Sequence, residues 1–423
     1  MSETFVGAAS TRSFSVGTYS SGRTPSRGSC KFAKVPTIGL SLEYMTTPAL
    51  TKLFREFFDS EKAGGLILVG CTILSILLTN SGAGEGWLHF WHGVEHWVND
   101  GLMAIFFLLV GLEIERELYI GELADFKKAL LPIIAAIGGM LVPAGIHFLF
   151  NHGSPTQSGI GIPMATDIAF ALGVLSLLGN KVPTSVKIFL TALAIIDDLG
   201  AIIVIAIFYT KTLSFTWLAF ALGIFLLLLL LNRFKVNKVM FYIIPGIVMW
   251  YCMLRSGIHA TLSGVLLAFA IPFRKAPAIN PSETIQHVLH KPVAFLILPL
   301  FALANTGILL SSGWSASLGT ANSLGILSGL VLGKPLGILL CCWLAIRTGL
   351  CRLPEDIRWS HLLGMGILAG IGFTMSIFIT NLAFDAPGII QFSKIAILAA
   401  SLLASLLGFS VLALTAKLGT VFP

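Results

Sequence analysis

Long hydrophobic runs, among them Gly64–Leu78, Ala129–Phe150, Leu218–Leu231 and Ile395–Ala416, follow one another along nearly the whole chain, with short polar breaks between them. A hydrocarbon layer of ~30 Å takes about 20 mostly apolar residues per helix. The breaks are short and the alternation of a half-buried strand is absent, so the pattern predicts a helical bundle rather than a β-barrel. Twelve transmembrane segments are expected: 64–79, 99–118, 129–150, 161–178, 184–209, 215–232, 239–253, 257–271, 287–310, 323–346, 361–383 and 392–417. Two of them are punctuated alike. In the fourth, Gly159, Gly161 and Pro163 precede Thr166 and Asp167; in the eleventh, Gly364, Gly366, Gly370 and Gly372 precede Thr374. Matched interruptions in two halves point to unwound crossings in an inverted-repeat transporter. Close helix packing at small residues is the other reading.

Composition agrees with a bilayer environment. Of 423 residues, 56% are hydrophobic and only 11% charged, against about 25% charged in soluble domains. The loops carry the rest of the picture. Basic residues gather at Lys127–Lys128, Lys181 and Lys187, Arg233, Lys235 and Lys238, Arg274, Lys275 and Lys291, and Arg347, Arg352 and Arg358. The alternate loops, 80–98, 151–160, 310–322 and 384–391, contain no Lys or Arg. By the positive-inside rule the first set is cytoplasmic, as are both termini, and only Lys211, Arg255 and Lys394 fall on the outer side. Nearly all of the formal +7 excess therefore sits in loops, where it sets orientation, and does not indicate a nucleic-acid partner. Residues 1–45, rich in Ser, Thr, Gly and Arg, are expected to be a disordered basic tail ahead of one membrane domain over 46–423. A transit peptide has similar composition, and Met45 is an alternative start. The six cysteines have no metal-site or disulfide spacing and are expected to be packing residues.

Against this background the few ionisable residues inside the spans need explaining, because each costs at least ~2.5–3.5 kcal/mol at a helix centre. They are Asp167, the pair Asp197–Asp198 and Lys334, with Asp100, Glu113 and Glu117 nearer the end of a span. From Thr184 to Asp198 is ~20 Å of helix, which sets the pair near mid-membrane. Two adjacent carboxylates in a desolvated site do not both ionise cheaply. A small hard cation reverses that balance through oxygen ligands, so Na+ and protons compete for the same oxygens. A site that holds either, and faces each side in turn, is an exchanger. The alternative is a pair of packing or capping aspartates. Thr166 and Asp167 can cap the half-helix that follows the break, and Thr166 can also lend an oxygen to an ion. Lys334 can neutralise an aspartate, offset helix carbonyls, or give up its proton as the cation binds. Glu113 and Glu117 share a helix face and form either a cation-attracting entrance or an ordinary interfacial cluster. His259 stands alone, the usual position of a packing histidine. His287 and His290 lie beside Glu283, and histidine is the side chain whose charge changes nearest physiological pH.

These same stretches carry a resemblance. Ala165–Gly173, Ala192–Ala201, Gly333–Gly337 and Gly370–Phe378 closely resemble the bacterial NhaA family of Na+/H+ antiporters, and the likeness runs from about residue 60 to the C-terminus. That family is one of the type examples of inverted-repeat transporters. The resemblance implies an all-α integral membrane fold of about twelve transmembrane helices, with inverted-topology repeats and two discontinuous crossing helices. It implies that Asp197 and Asp198 bind Na+ or Li+ and carry protons, with Thr166 and Asp167 assisting at the crossing. Lys334 would pair with a carboxylate or balance helix dipoles. Glu113 and Glu117 match an acidic cytoplasmic entrance, and His259 a position that influences the response to pH. It further implies electrogenic, pH-regulated export of sodium against more than one proton across a bacterial inner membrane. No cofactor is implied beyond the transported ions. Two departures stand out. The outer segment 81–98 is short and aromatic where well-known members carry a longer β-hairpin that mediates dimerisation, which puts a homodimer of that kind in doubt. The segment around Glu283 and His287, with Gln286 between, lacks a basic and an acidic position typical of the family, which implies a shifted pH threshold.

Two other classes compete. An intramembrane aspartyl protease needs carboxylates from separate helices sharing a proton at about 3 Å, whereas adjacent residues on one helix diverge by ~100°. A Na+-coupled symporter needs a polar pocket for an organic solute, and only Thr374, Ser376, Thr380 and Asn381 offer one. The protein is therefore expected to be a transporter and not an enzyme.

Overall fold

In the computed structural model the backbone is described for residues 48–210, 213–274, 280–310 and 314–419. The basic tail over 1–45, and Lys211 and Lys275, lie outside the described residues. The described residues from 50 to 419 form one compact unit. Among the described residues it is helical throughout, without a strand. The helices are α1 (Pro48–Thr79), α2 (Gly84–His96), α3 (Met103–Tyr119), α4 (Phe126–Asn151), α5 (Ile168–Leu177), α6 (Thr184–Phe208), α7 (Phe215–Arg233), α8 (Met240–Ser256), α9 (Leu262–Ala270), α10 (Pro281–Pro292), α11 (Leu298–Asn305), α12 (Trp314–Ser317), α13 (Ala321–Ser328), α14 (Lys334–Arg347), α15 (Trp359–Ala369), α16 (Phe373–Ala383) and α17 (Pro387–Gly419). Single wide π-turns at Trp97–Leu102, Val293–Ile297 and Gly329–Gly333 join α2 to α3, α10 to α11 and α13 to α14 without ending the rod.

Eight of the resulting rods are long and apolar enough to cross a membrane, and the bent pair α15–α16 makes nine. The segments Ala63–Thr79 and Met240–Ser256 are apolar but shorter. The chain is thus an all-α, multi-pass membrane protein, and twelve crossings remain the sequence's expectation. Exposed Leu, Ile and Phe side chains stud α7, α8, α14 and α17, as lipid-facing surfaces do.

Several boundaries differ from the sequence reading, three of them for clear local reasons. The segment 80–98, read as a loop, turns at Ser81 and becomes helical from Gly84. Its buried positions Gly84, Trp91 and Val98 are seven residues apart, two helical turns, so they line one face. Trp87 packs edge-on against Trp91 at 5.6 Å and donates from Nε1 to Ser75 Oγ at 3.4 Å. The aromatic composition obscured that helical spacing. The eighth segment, read as 257–271, is helical only from Leu262, because Gly257 at φ +85° closes α8 in the left-handed region. The ninth begins at Pro281 instead of 287, with proline in the first turn where its missing N–H costs nothing.

Loops expected on the same side meet one another. Asn80 bonds Ile308 and Leu310, Gln391 donates to Leu309 O, Ser214 N donates to Ser256 O, and Tyr209 donates to Ser158 O, all among the lysine-poor ends. At the other end Ser185 bonds Asp356, and Tyr119 stacks on Phe273 at 5.1 Å. Between the two ends α4 packs along α14 and beside α6, and this trio frames the two helix breaks.

Candidate functional site

The first break lies between α4 and α5. A 3-10 stretch, Gln157–Met164, contains Pro163, which cannot donate to a helical carbonyl. Ala165 and Asp167 are extended, and α5 starts afresh at Ile168. Asp167 caps it: Oδ1 accepts from Phe170 N at 2.9 Å. The second break separates α15 from α16, which are bent by 45° across Gly370–Gly372. Glycine is required at 370 because a Cβ there would sit 2.3 Å from Leu330 O.

Each break satisfies the other's backbone. Asp167 N donates to Ile371 O at 2.7 Å, and Thr166 Oγ1 to Ala369 O at 2.9 Å. Thr374 donates to Asp167 Oδ2 from both its N, at 3.1 Å, and its Oγ1, at 2.5 Å. Ser376 Oγ donates to Ile162 O at 2.7 Å. Unwound backbone in hydrocarbon is tolerated only where such partners exist. Asp167 is thus both a cap and a clasp, with each oxygen engaged.

Asp197 and Asp198 lie near the middle of the 25-residue α6, 0% and 1% exposed. Asp197 Oδ2 accepts from Lys334 Nζ at 2.9 Å and lies 2.7 Å from Thr166 Oγ1, whose single hydrogen it shares with Ala369 O. Lys334 opens α14, is fully buried, and donates a second, short bond to Met164 O at the first break. Of the roles the sequence left open for Lys334, the geometry shows it paired with an aspartate and with a freed carbonyl at once. Asp197 Oδ1 and Asp198 Oδ1 are buried and have no protein hydrogen-bond partner. Two buried carboxylate oxygens without protein donors are acceptors that a proton or a cation can satisfy.

The structure therefore brings together Thr166, Asp167, Asp197, Asp198 and Lys334. Glu113, partly buried on α3, lies within electrostatic reach of Asp198. The remaining predicted residues sit apart. Glu117, near the end of α3, pairs with Arg116 at 3.0 Å and accepts from Glu122 N at 3.1 Å. Glu283 and His287 are exposed on α10, which packs against α3. His259 is partly buried in the turn between α8 and α9.

Sequence reasoning passed over Glu115. It points away from the face shared by Glu113 and Glu117, is buried, and accepts from Ser282 Oγ of α10 at 2.8 Å. Its two-residue offset from Glu113, ~200° around a helix, was the available signal. The carbonyls of Met164 and Ala369 carry no sequence signal, since any residue supplies one.

The sequence model of the family described as Na+/H+ antiporter 1 matches residues 55–412. The chain belongs to this family. Among its relatives, proteins named Na+/H+ antiporter NhaA are 59% identical in Cytophaga hutchinsonii over 87% of this chain and 97% of that protein, and 60% identical in Dechloromonas aromatica over 86% and 96%. A protein of the same name in Citrobacter koseri is 48% identical over 85% of this chain and 97% of its own. Both breaks, the aspartate pair and Lys334 fall inside the stretch that the antiporter family model matches.

Proposed function

We propose that the protein exports Na+ or Li+ in exchange for H+, with Asp197 and Asp198 as the site for which cation and protons compete. The observation that carries this reading is the pair of buried, unpartnered oxygens, Asp197 Oδ1 and Asp198 Oδ1, beside a lysine bonded to the same carboxylate. Antiport is also what the names of the relatives state, and membership of this family favours it over a protease or a symporter.

The step follows from charge balance. Asp197 and Lys334 neutralise each other. Asp198 has no cation of its own, so without Na+ it holds a proton. An arriving Na+ takes the free oxygens of both aspartates and the hydroxyl of Thr166, displaces the Asp198 proton, and weakens the hold of Asp197 on Lys334. Lys334 then sheds a proton as well. One cation for more than one proton moves net charge, which makes exchange electrogenic. Asp167 keeps the two breaks joined and adds negative charge beside the site. Alternating access follows when the joined breaks tilt against α6.

Glu113 and Glu117 concentrate cations at the cytoplasmic mouth, and Glu283, His287 and His259 set the response to pH. The basic loops orient the protein with both termini in the cytoplasm of a bacterial inner membrane. Because the outer segment 84–96 is helical, a dimer would use an interface other than an outer hairpin.

In proteoliposomes, an imposed Na+ or Li+ gradient is expected to drive counter-movement of protons. Clamping the membrane potential with K+ and valinomycin should then speed it, because net charge moves. No proton movement with either cation would refute the proposal, and indifference to the potential would remove its electrogenic step.

A further inference from the structure

Outside the aspartate site, three asparagines from separate elements meet. Asn99 lies in the wide turn before α3, Asn305 ends α11, and Asn381 is on α16. Asn305 Nδ2 donates to Phe301 O at 3.0 Å and to Asn99 Oδ1 at 2.8 Å. Its Oδ1 accepts from Asn381 Nδ2 at 2.6 Å and from Asn99 Nδ2 at 3.4 Å. A carbonyl only accepts, so Phe301 O decides which end of the Asn305 amide carries the hydrogens. Asn305 Oδ1 must then face the NH2 of Asn381. That turns Asn381 Oδ1 the other way, where it is buried with no protein donor. A buried acceptor left without a partner is unfavourable and calls for an explanation.

Its position supplies one. Asn381 follows Thr374 by seven residues, two turns, so both lie on one face of α16, ~10 Å apart along the axis. Thr374 clasps Asp167 at the breaks, and α16 runs from there to the lysine-poor side. Charged groups near the cluster are Glu95, whose Oε1 is 3.5 Å from Asn99 Nδ2, Lys394 of α17, within electrostatic reach of Glu95, and Asp100, next to Asn99 and 2.7 Å from His96 Nδ1. The amide oxygen itself is uncharged, so it acts as a neutral ligand. Neutral oxygens hold a hard monovalent cation weakly, which suits a point that an ion must leave.

We propose that Asn381 Oδ1 is a ligand for the transported alkali cation on the outer half of its path, a weak station between the aspartate pair and the outer surface. This rests on the Na+/H+ antiport reading above.

The test compares full-length wild type with Asn381→Ala and Asn381→Asp in proteoliposomes, measuring the Na+ KM separately for Na+ supplied to the outer and to the inner face. Losing the ligand in Asn381→Ala should raise the outer-face KM about fivefold, with the inner-face KM within about twofold of wild type. Asn381→Asp keeps an oxygen and adds charge, so it should bring the outer-face KM below that of wild type; it carries the test alone if the alanine variant does not fold. Unchanged outer-face values in the variants, or equal shifts at both faces, would overturn the station while leaving antiport standing. A wild type without Na+-driven proton movement would overturn antiport, and the station with it.

Discussion

Asp198→Asn is expected to abolish Na+-driven proton movement in proteoliposomes, to below about a hundredth of wild type, and Asp197→Asn to do the same. A carboxamide neither binds and releases a proton nor offers the charge that repays a cation for its lost hydration, an interaction with a charged group being worth roughly 1.5–3 kcal/mol per bond. The two variants should differ in stability. Asp197 is the carboxylate that Lys334 touches, and removing one partner of a buried pair typically costs ~3–5 kcal/mol. Asp198 Oδ1 has no protein partner to lose. Melting of the purified protein should therefore fall clearly in Asp197→Asn and little in Asp198→Asn. Equal melting with both variants inactive would mean that the lysine pairing does not support the fold as the geometry says. Full transport in either variant would place the ion elsewhere.

The second large effect lies away from any ionisable group. At the crossing of α4 and α14 the backbones touch: a Cβ on Gly337 would stand 2.1 Å from Gly138 O, and one on Gly138 2.2 Å from Gly337 O. Glycine there lets two helices approach as small-residue motifs do in membranes. Lys334 is one turn before Gly337, so its reach to Asp197 and Met164 O depends on that approach. Gly337→Val must push the helices apart. It is expected to cost about 1–3 kcal/mol of stability, as overpacking does, and to reduce transport to under about a tenth of wild type by withdrawing the lysine. Gly223→Ala, on α7 with open space around it, is the control and should leave transport unchanged without lowering melting. A Gly337→Val protein that transports normally would show that the lysine's position is not set by this crossing.

Much of this was legible in the chain. Hydrophobic runs marked the helical segments because a bilayer imposes length and apolarity on every span. Gly and Pro near 159–163 and 364–372 marked the breaks, since both residues weaken a helix interior. The scarcity of charge drew attention to Asp197, Asp198, Asp167 and Lys334 before any geometry was known. Partner choice was not legible. Nothing in sequence distance relates Thr374 to Asp167, or Lys334 to Met164 O, because those contacts depend on how distant helices stack. In 84–96 composition and periodicity disagree: the polar and aromatic residues suggest a loop, while Gly84, Trp91 and Val98 repeat at helical spacing. The asparagine cluster was invisible for a similar reason. Asn99 and Asn305 are unremarkable singly, and Asn381, a polar residue in an apolar span, gains its meaning only beside them.

The central claim is that Na+ and protons compete for the same oxygens. The most direct test is calorimetric: Na+ binding to the purified protein, measured across pH in two buffers of different ionisation enthalpy. Protons that occupy the site exclude the cation, so as pH falls the Kd should rise by more than about tenfold per unit, approaching roughly a hundredfold where both displaced protons are bound, and binding should release more than one proton to the buffer. A Kd that stays constant while pH falls, with no protons released, would contradict competition and with it this account of exchange.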